Sequence, residues 1–195
     1  MFLKRISSIL LLGAIVLVLN SVSYAAGNAD LQSRDYDIGL EAGLWLPGTV
    51  YVEDSDLDKD AGPLFRIFAD TYVAPKFAVG VYGNYSTVSL SSGSTEVDAS
   101  FWEIGMALKP KFMLSNDVAL KPGLNIGYRK SSIDINNFDP ADGMGLNLSV
   151  ELQFALQGGL IFFIDGGFLS QPVGGNDKAD VTWAPIVYLC GGIAF

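Results

Sequence analysis

Nine ionisable residues fall on one parity of alternating segments: Glu41, Arg66, Asp70, Glu103, Lys109, Lys121, Arg129, Glu151 and Asp165. Carboxylates set in pairs can exchange protons as general acid and base. Here five acids stand against four bases, and a charge taken out of water without a partner costs several kcal/mol. The set therefore predicts a mutually neutralising interior network, a much commoner use of clustered charge than catalysis. No catalytic residue is assigned, and no enzymatic activity is expected.

Other chemistries find few candidate residues. The chain has no histidine and a single cysteine, Cys190, which removes the usual zinc and transition-metal ligand sets and any internal disulfide. Cys190 sits in an apolar alternating segment and reads as a small buried residue. The run Glu53-Asp54-Ser55-Asp56-Leu57-Asp58-Lys59-Asp60 has the alternating Asp residues that open a calcium loop. That loop needs Gly at its sixth position and Glu at its twelfth, where this chain has Lys59 and Phe65. A solvated acidic loop is predicted, the alternative being a weak divalent-ion site there; no metal ligand is assigned and no cofactor is expected. Asn84-Tyr85-Ser86 and Asn147-Leu148-Ser149 match a glycosylation pattern but lie inside segments read as strands.

The elements that must position the nine charges have period two. Leu146, Leu148, Val150, Leu152, Phe154 and Leu156 share one face, and Asn147, Ser149, Glu151 and Gln153 the other. No apolar pattern of helical spacing survives beyond residue 26. The same rule gives strands near 36–46, 63–73, 76–88, 97–110, 118–131, 144–156, 159–170 and 181–195. Long polar connections at 47–62, 89–96, 132–143 and 171–180 alternate with tight ones near Ala74-Pro75, at 115–117 and at Gln157-Gly158. An even strand count with long loops on one side and short turns on the other is the outer-membrane arrangement. All eight prolines fall in connections, at strand starts or near the ends of the spanning segments, where a closed ladder accepts them.

The polar face decides which way the wall points. A soluble lipocalin-like barrel, the rival architecture, would show water a charge-rich exterior. Here that face is mostly Gly, Ala, Ser and Asn with about one charge per strand, which suits the packed interior of an eight-stranded barrel. The opposite face carries Leu40, Ile67, Val81, Ile104, Leu124, Ile126, Phe162, Ile164 and Leu189 with no clear charge, as hydrocarbon demands. Tyr85, Trp102, Tyr128 and Trp183 are placed on this outer parity near strand ends, at headgroup level.

The chain opens with Lys4 and Arg5, an uninterrupted apolar run from Ile9 to Leu19, and Ser23-Tyr24-Ala25. That is the pattern of a secretory signal peptide, residues 1–25. Eleven apolar residues are too few for a spanning helix, which needs about 20. Residues 26–195 then form one barrel domain of 170 residues, with 10 basic against 21 acidic side chains and a net charge of −11. Such a chain has no electrostatic grip on nucleic acid.

The closing segment Tyr188-Leu189-Cys190-Gly191-Gly192-Ile193-Ala194-Phe195 resembles the C-terminal assembly signal of the small eight-stranded outer-membrane barrels, the OmpX-like and OmpA membrane-domain-like group. The resemblance covers the whole mature chain as architecture. It implies an all-β, eight-stranded antiparallel up-and-down transmembrane barrel, exported through the Sec pathway to the outer membrane of a Gram-negative cell. It implies as partners the outer-membrane lipid and lipopolysaccharide, periplasmic chaperones, and a barrel assembly machinery that reads Tyr188, Leu189, Ile193 and Phe195. A monomer is expected. The expected role is structural or surface interaction through four outer loops, with a lumen plugged by side chains. The rival role is a narrow pore or a path for small apolar solutes, which inward Tyr82, Phe101, Phe163 and Tyr188 would line.

Overall fold

The computed structural model describes residues 31–53, 55–93, 95–134 and 138–195; the predicted signal peptide lies outside them. Eleven strands form: β1 (Tyr36–Trp45), β2 (Gly48–Val52), β3 (Ser55–Lys59), β4 (Gly62–Ala74), β5 (Phe77–Ser92), β6 (Thr95–Pro110), β7 (Phe112–Met113), β8 (Val118–Ile133), β9 (Ala141–Ala155), β10 (Ile161–Gly175) and β11 (Val181–Ala194). Eight of them are long. Each pairs antiparallel with the next in sequence, β1–β4–β5–β6–β8–β9–β10–β11, and β11 returns to β1 through Gly39↔Ala194 to Trp45↔Tyr188. The ring closes, so the wall has no free edge in that register. Both ends of the barrel sequence lie at one rim, where Ile38 and Phe195 exchange backbone hydrogen bonds at 2.9 and 3.0 Å.

Alternation sorts the side chains as hydrocarbon requires. Ile67, Ile104, Ile126, Leu148, Val150, Phe168 and Leu189 all point out and are exposed. Every one of the nine predicted charges points in and is buried. Tyr85, Trp102 and Tyr128 lie half-exposed on three adjacent strands, Tyr85 opposite Trp102 and the rings of Trp102 and Tyr128 5.6 Å apart. They mark the edge of the apolar band on the side away from the chain ends.

Beyond that edge the architecture departs from the sequence reading. The connection 47–62 is no plain loop: it folds into the β2–β3 hairpin, paired from Gly48↔Lys59 to Val52↔Ser55. β2 pairs with β11 at Val50 to Val52, and β3 pairs with β5 at Asp58 and Lys59. Where β1 and β4 stop, the hairpin takes their places in the wall. The connection 89–96 likewise shrinks to a tight turn at Gly93, whose φ of +60° suits glycine, because β5 and β6 stay paired up to Ser92↔Thr95.

Trp183, predicted on the outer parity, is instead buried inside and takes no part in the outer aromatic row. Along β11 the inward residues are Val181 and Trp183, then Ile186, Tyr188 and Cys190. The parity flips at Ala184-Pro185, opposite a register shift between Leu169 and Gln171 of β10. A bulge adds an unpaired residue there, and Pro185, which has no N–H to give a ladder, occupies it.

Candidate functional site: the barrel interior

Three tiers fill the lumen. At the rim of the chain ends, Lys121 Nζ lies 2.9 Å from Asp37 and 3.0 Å from Asp70, while Lys109 Nζ lies 2.9 Å from Asp70 and 3.5 Å from Glu151. At mid-height Arg66 Nη1 meets Glu41 at 2.8 Å and Asp165 at 3.0 Å, and the Tyr188 hydroxyl donates to Asp165 at 2.7 Å. Further from the chain ends, Arg129 grips Glu103 through Nε at 2.7 Å and Nη2 at 2.6 Å. Asn84 links two tiers, accepting from Arg66 Nε at 2.6 Å and donating to Glu103 at 3.3 Å. The Tyr82 hydroxyl also donates to Glu103, at 2.6 Å. β5 and β11 contribute none of the nine charges, yet Tyr82, Asn84 and Tyr188 make them the hydrogen-bonding links.

The structure brings in three ionic groups that the sequence reading did not include. Asp37 is buried and also accepts from Arg34 Nε at 2.7 Å and from the Tyr72 hydroxyl at 2.7 Å. Arg34 Nη1 donates to the Gly159 carbonyl at 2.9 Å. Lys111 is buried, places its ammonium 4.3 Å from the Tyr72 ring centre, and donates to the Leu31 carbonyl. Asp37 and Lys111 share the inward parity of Glu41 and Lys109, so period two could have found them. Leu31 itself is fully buried against Phe68, Tyr82, Ile161 and Phe163. The stretch before β1 thus turns back into the mouth of the barrel.

Aromatic rings dominate the opposite half of the lumen. Trp45 and Trp183 stack with ring centres 5.1 Å apart and planes 20° apart, and Phe101 stands edge-on to both, at 5.1 and 6.2 Å. The Arg129 guanidinium lies 4.4 Å from the Phe101 ring centre. Of the four aromatics proposed to line a path, Phe101 belongs to this cluster, Tyr82 and Tyr188 to the ionic tiers, and Phe163 stands edge-on to Phe68 at 5.5 Å.

Lys59, on the outer hairpin, lies over Trp45 at 4.3 Å and donates to the carbonyls of Trp45, Leu46 and Asp60 at 3.2, 2.7 and 2.8 Å. Burial pushes its ammonium down to about 8 from an ordinary 10.5, with Asp60 opposing the shift. Between those two pH values the unfolded chain binds more protons than the folded one, so the Lys59 contribution to stability rises with pH across that window. The urea midpoint of the wild type is expected to climb relative to Lys59→Met from pH 7.5 to pH 10. A flat difference would contradict the burial of this amine.

Among the described residues no group of three or more acids and thiols has metal-binding geometry. The predicted assembly residues divide between faces: Leu189 is exposed outward, Ile193 and Phe195 are half-buried at the rim of the chain ends, and Tyr188 is inside.

Residues 12–177 match the family described as outer membrane protein beta-barrel domain. The outer membrane protein OprG of Pseudomonas aeruginosa superposes with a TM-score of 0.61 at 14% identity, over 87% of this chain and 97% of that one. Neisserial surface protein A gives a TM-score of 0.58 at 14% identity, over 82% and 94%. No curated protein sequence matches the chain significantly.

Proposed function

Because this chain belongs to the outer membrane protein beta-barrel domain family and is an integral outer-membrane protein, we propose that it works as a sealed barrel whose outer hairpins are its interacting surface. The observation that carries this reading is that packed side chains cross the lumen at three levels. Leu31 packs into the mouth at the chain ends, ion pairs span the middle, and the Trp45–Trp183–Phe101 cluster narrows the outer half. The reading assigns no covalent chemistry, since the carboxylates that lie close together are tied to bases.

The outer rim favours a cationic partner. Glu53, Asp56, Asp58, Asp60, Glu96, Asp98, Asp134, Asp139, Asp142, Asp177 and Asp180 lie on its strand ends and connections, against the half-buried Lys130 and the exposed Lys178 as bases. A basic surface or divalent ions bridging to lipopolysaccharide would complement that field. Leu189, Ile193 and Phe195 on the closing strand are the residues we assign to reading by an assembly machinery, on the strength of the alternating C-terminal pattern.

Single-channel recording in a planar bilayer tests the seal. The refolded barrel is expected to show no defined conductance, and Cys190, the only thiol and a buried one, is expected to resist a water-soluble thiol reagent until the barrel is unfolded. A persistent, uniform conductance with rapid Cys190 labelling would overturn the sealed reading in favour of a pore.

A further inference from the structure

Hydrogen-bond donors without acceptors gather in the outer, aromatic half of the lumen. Trp45 Nε1, Trp183 Nε1, Arg129 Nη1 and Ser86 Oγ are all buried, and none meets an acceptor among the described residues. A buried donor left unpaired is costly, so four in one place is a large burden unless they share a use. They are close together. The two indoles stack, Arg129 lies against Phe101 and, at 5.9 Å, Trp45, and Ser86 is the cross-strand neighbour of both Phe101 and Leu64 in the same cluster.

The two bases beside these rings differ in their partners. Arg129 is neutralised by Glu103, whose oxygens are already engaged by Arg129, Tyr82 and Asn84. Lys59, over Trp45, is held by three carbonyls and makes no ion pair within 4.0 Å among the described residues. The region is therefore rich in N–H groups, lined by aromatic rings, and holds one ammonium without a carboxylate within 4.0 Å among the described residues. In a low-dielectric setting those features attract a compact anion and repel a cation.

We propose that the cluster of Trp45, Trp183, Phe101, Ser86 and Arg129, with Lys59 above it, binds a small monovalent anion, a halide or a formate-sized carboxylate. The indole N–H groups and Arg129 Nη1 are its donors, and Lys59 supplies the balancing charge. Water, the other small acceptor, would satisfy the donors without answering the charge, and the test separates the two.

Trp102 faces lipid, so Trp102→Phe leaves Trp45 and Trp183 as the only indoles and makes the site its own reporter. The full barrel carrying this change, refolded in detergent at pH 6.5, is titrated with sodium iodide at constant ionic strength balanced by sodium gluconate. The expected result is saturable quenching, reversed by chloride and by formate. Adding Lys59→Met is expected to weaken half-saturation about tenfold, the equivalent of 1.4 kcal/mol, while adding Lys178→Met at the exposed rim changes nothing. Heat-modifiable gel migration verifies folding of each variant. Quenching that is absent, that rises linearly without a plateau, that resists chloride and formate, or that Lys59→Met leaves unchanged overturns the site.

Discussion

Glu103→Leu is expected to destabilise the barrel by about 3–5 kcal/mol, the usual penalty for breaking a buried ion pair from one side. The loss strands Arg129, fully buried and bonded twice to Glu103, and also strips the acceptor from Tyr82 and Asn84. Urea titration of the refolded protein reads the effect. The double variant Glu103→Leu/Arg129→Met should recover most of it, because replacing both members of a buried pair with apolar groups is often neutral or favourable. If the double variant is no more stable than the single one, the damage arises from packing around the introduced leucine side chain, and the ionic account of this tier fails.

Gly43→Ala is expected to cost at least as much as the upper part of the roughly 1–3 kcal/mol range for overpacking. It lies on the β1–β11 seam opposite Cys190. A Cβ there would run into the Leu189 carbonyl oxygen, and would sit 2.5 Å from Cys190 Cα and 2.7 Å from Cys190 Sγ. Backbone cannot swing aside as a side chain can. Gly191→Ala, on the facing strand of the same seam, meets only the Phe163 carbonyl at 3.8 Å and is expected to refold like wild type. Heat-modifiable migration and urea midpoints compare the pair, and equal stability of the two variants would show that the seam has more room than the glycine implies.

Much of this was readable from alternation alone. Leu148 and Val150 outside, with Glu151 and Gln153 inside, follow from period two, and so do the burial of Arg66, Asp70 and Lys121 and the closed eight-strand ring. The same rule reaches Asp37, Trp45 and Lys111, which share the parity of neighbours already recognised. What escaped it has local causes. Trp183 goes inside because the bulge at Ala184-Pro185 reverses the parity of β11, and a bulge leaves no mark in hydropathy beyond the proline itself. Gly48-Thr49-Val50-Tyr51-Val52 carries good strand formers, but the acids after it dominate the composition and disguise the hairpin as a solvated loop. The return of Leu31 into the mouth depends on space between Phe68, Tyr82 and Phe163 that only tertiary packing creates. Donors without acceptors, as at Trp45 and Trp183, are invisible to any linear pattern.

The hairpin also decides when the cylinder is finished. Its two strands touch β5 on one flank and β11 on the other, so residues made early must wait for the end of the chain before their upper hydrogen bonds are met. Closure is thereby clasped twice, once by β1 against β11 near the chain ends and again by β2 against β11 at the outer margin. Without the clasp, the lower ring would still join, but a vertical slit would part β11 from β5 above it. That slit would expose unpaired amides and the Trp45–Trp183 stack to whatever lies alongside the protein.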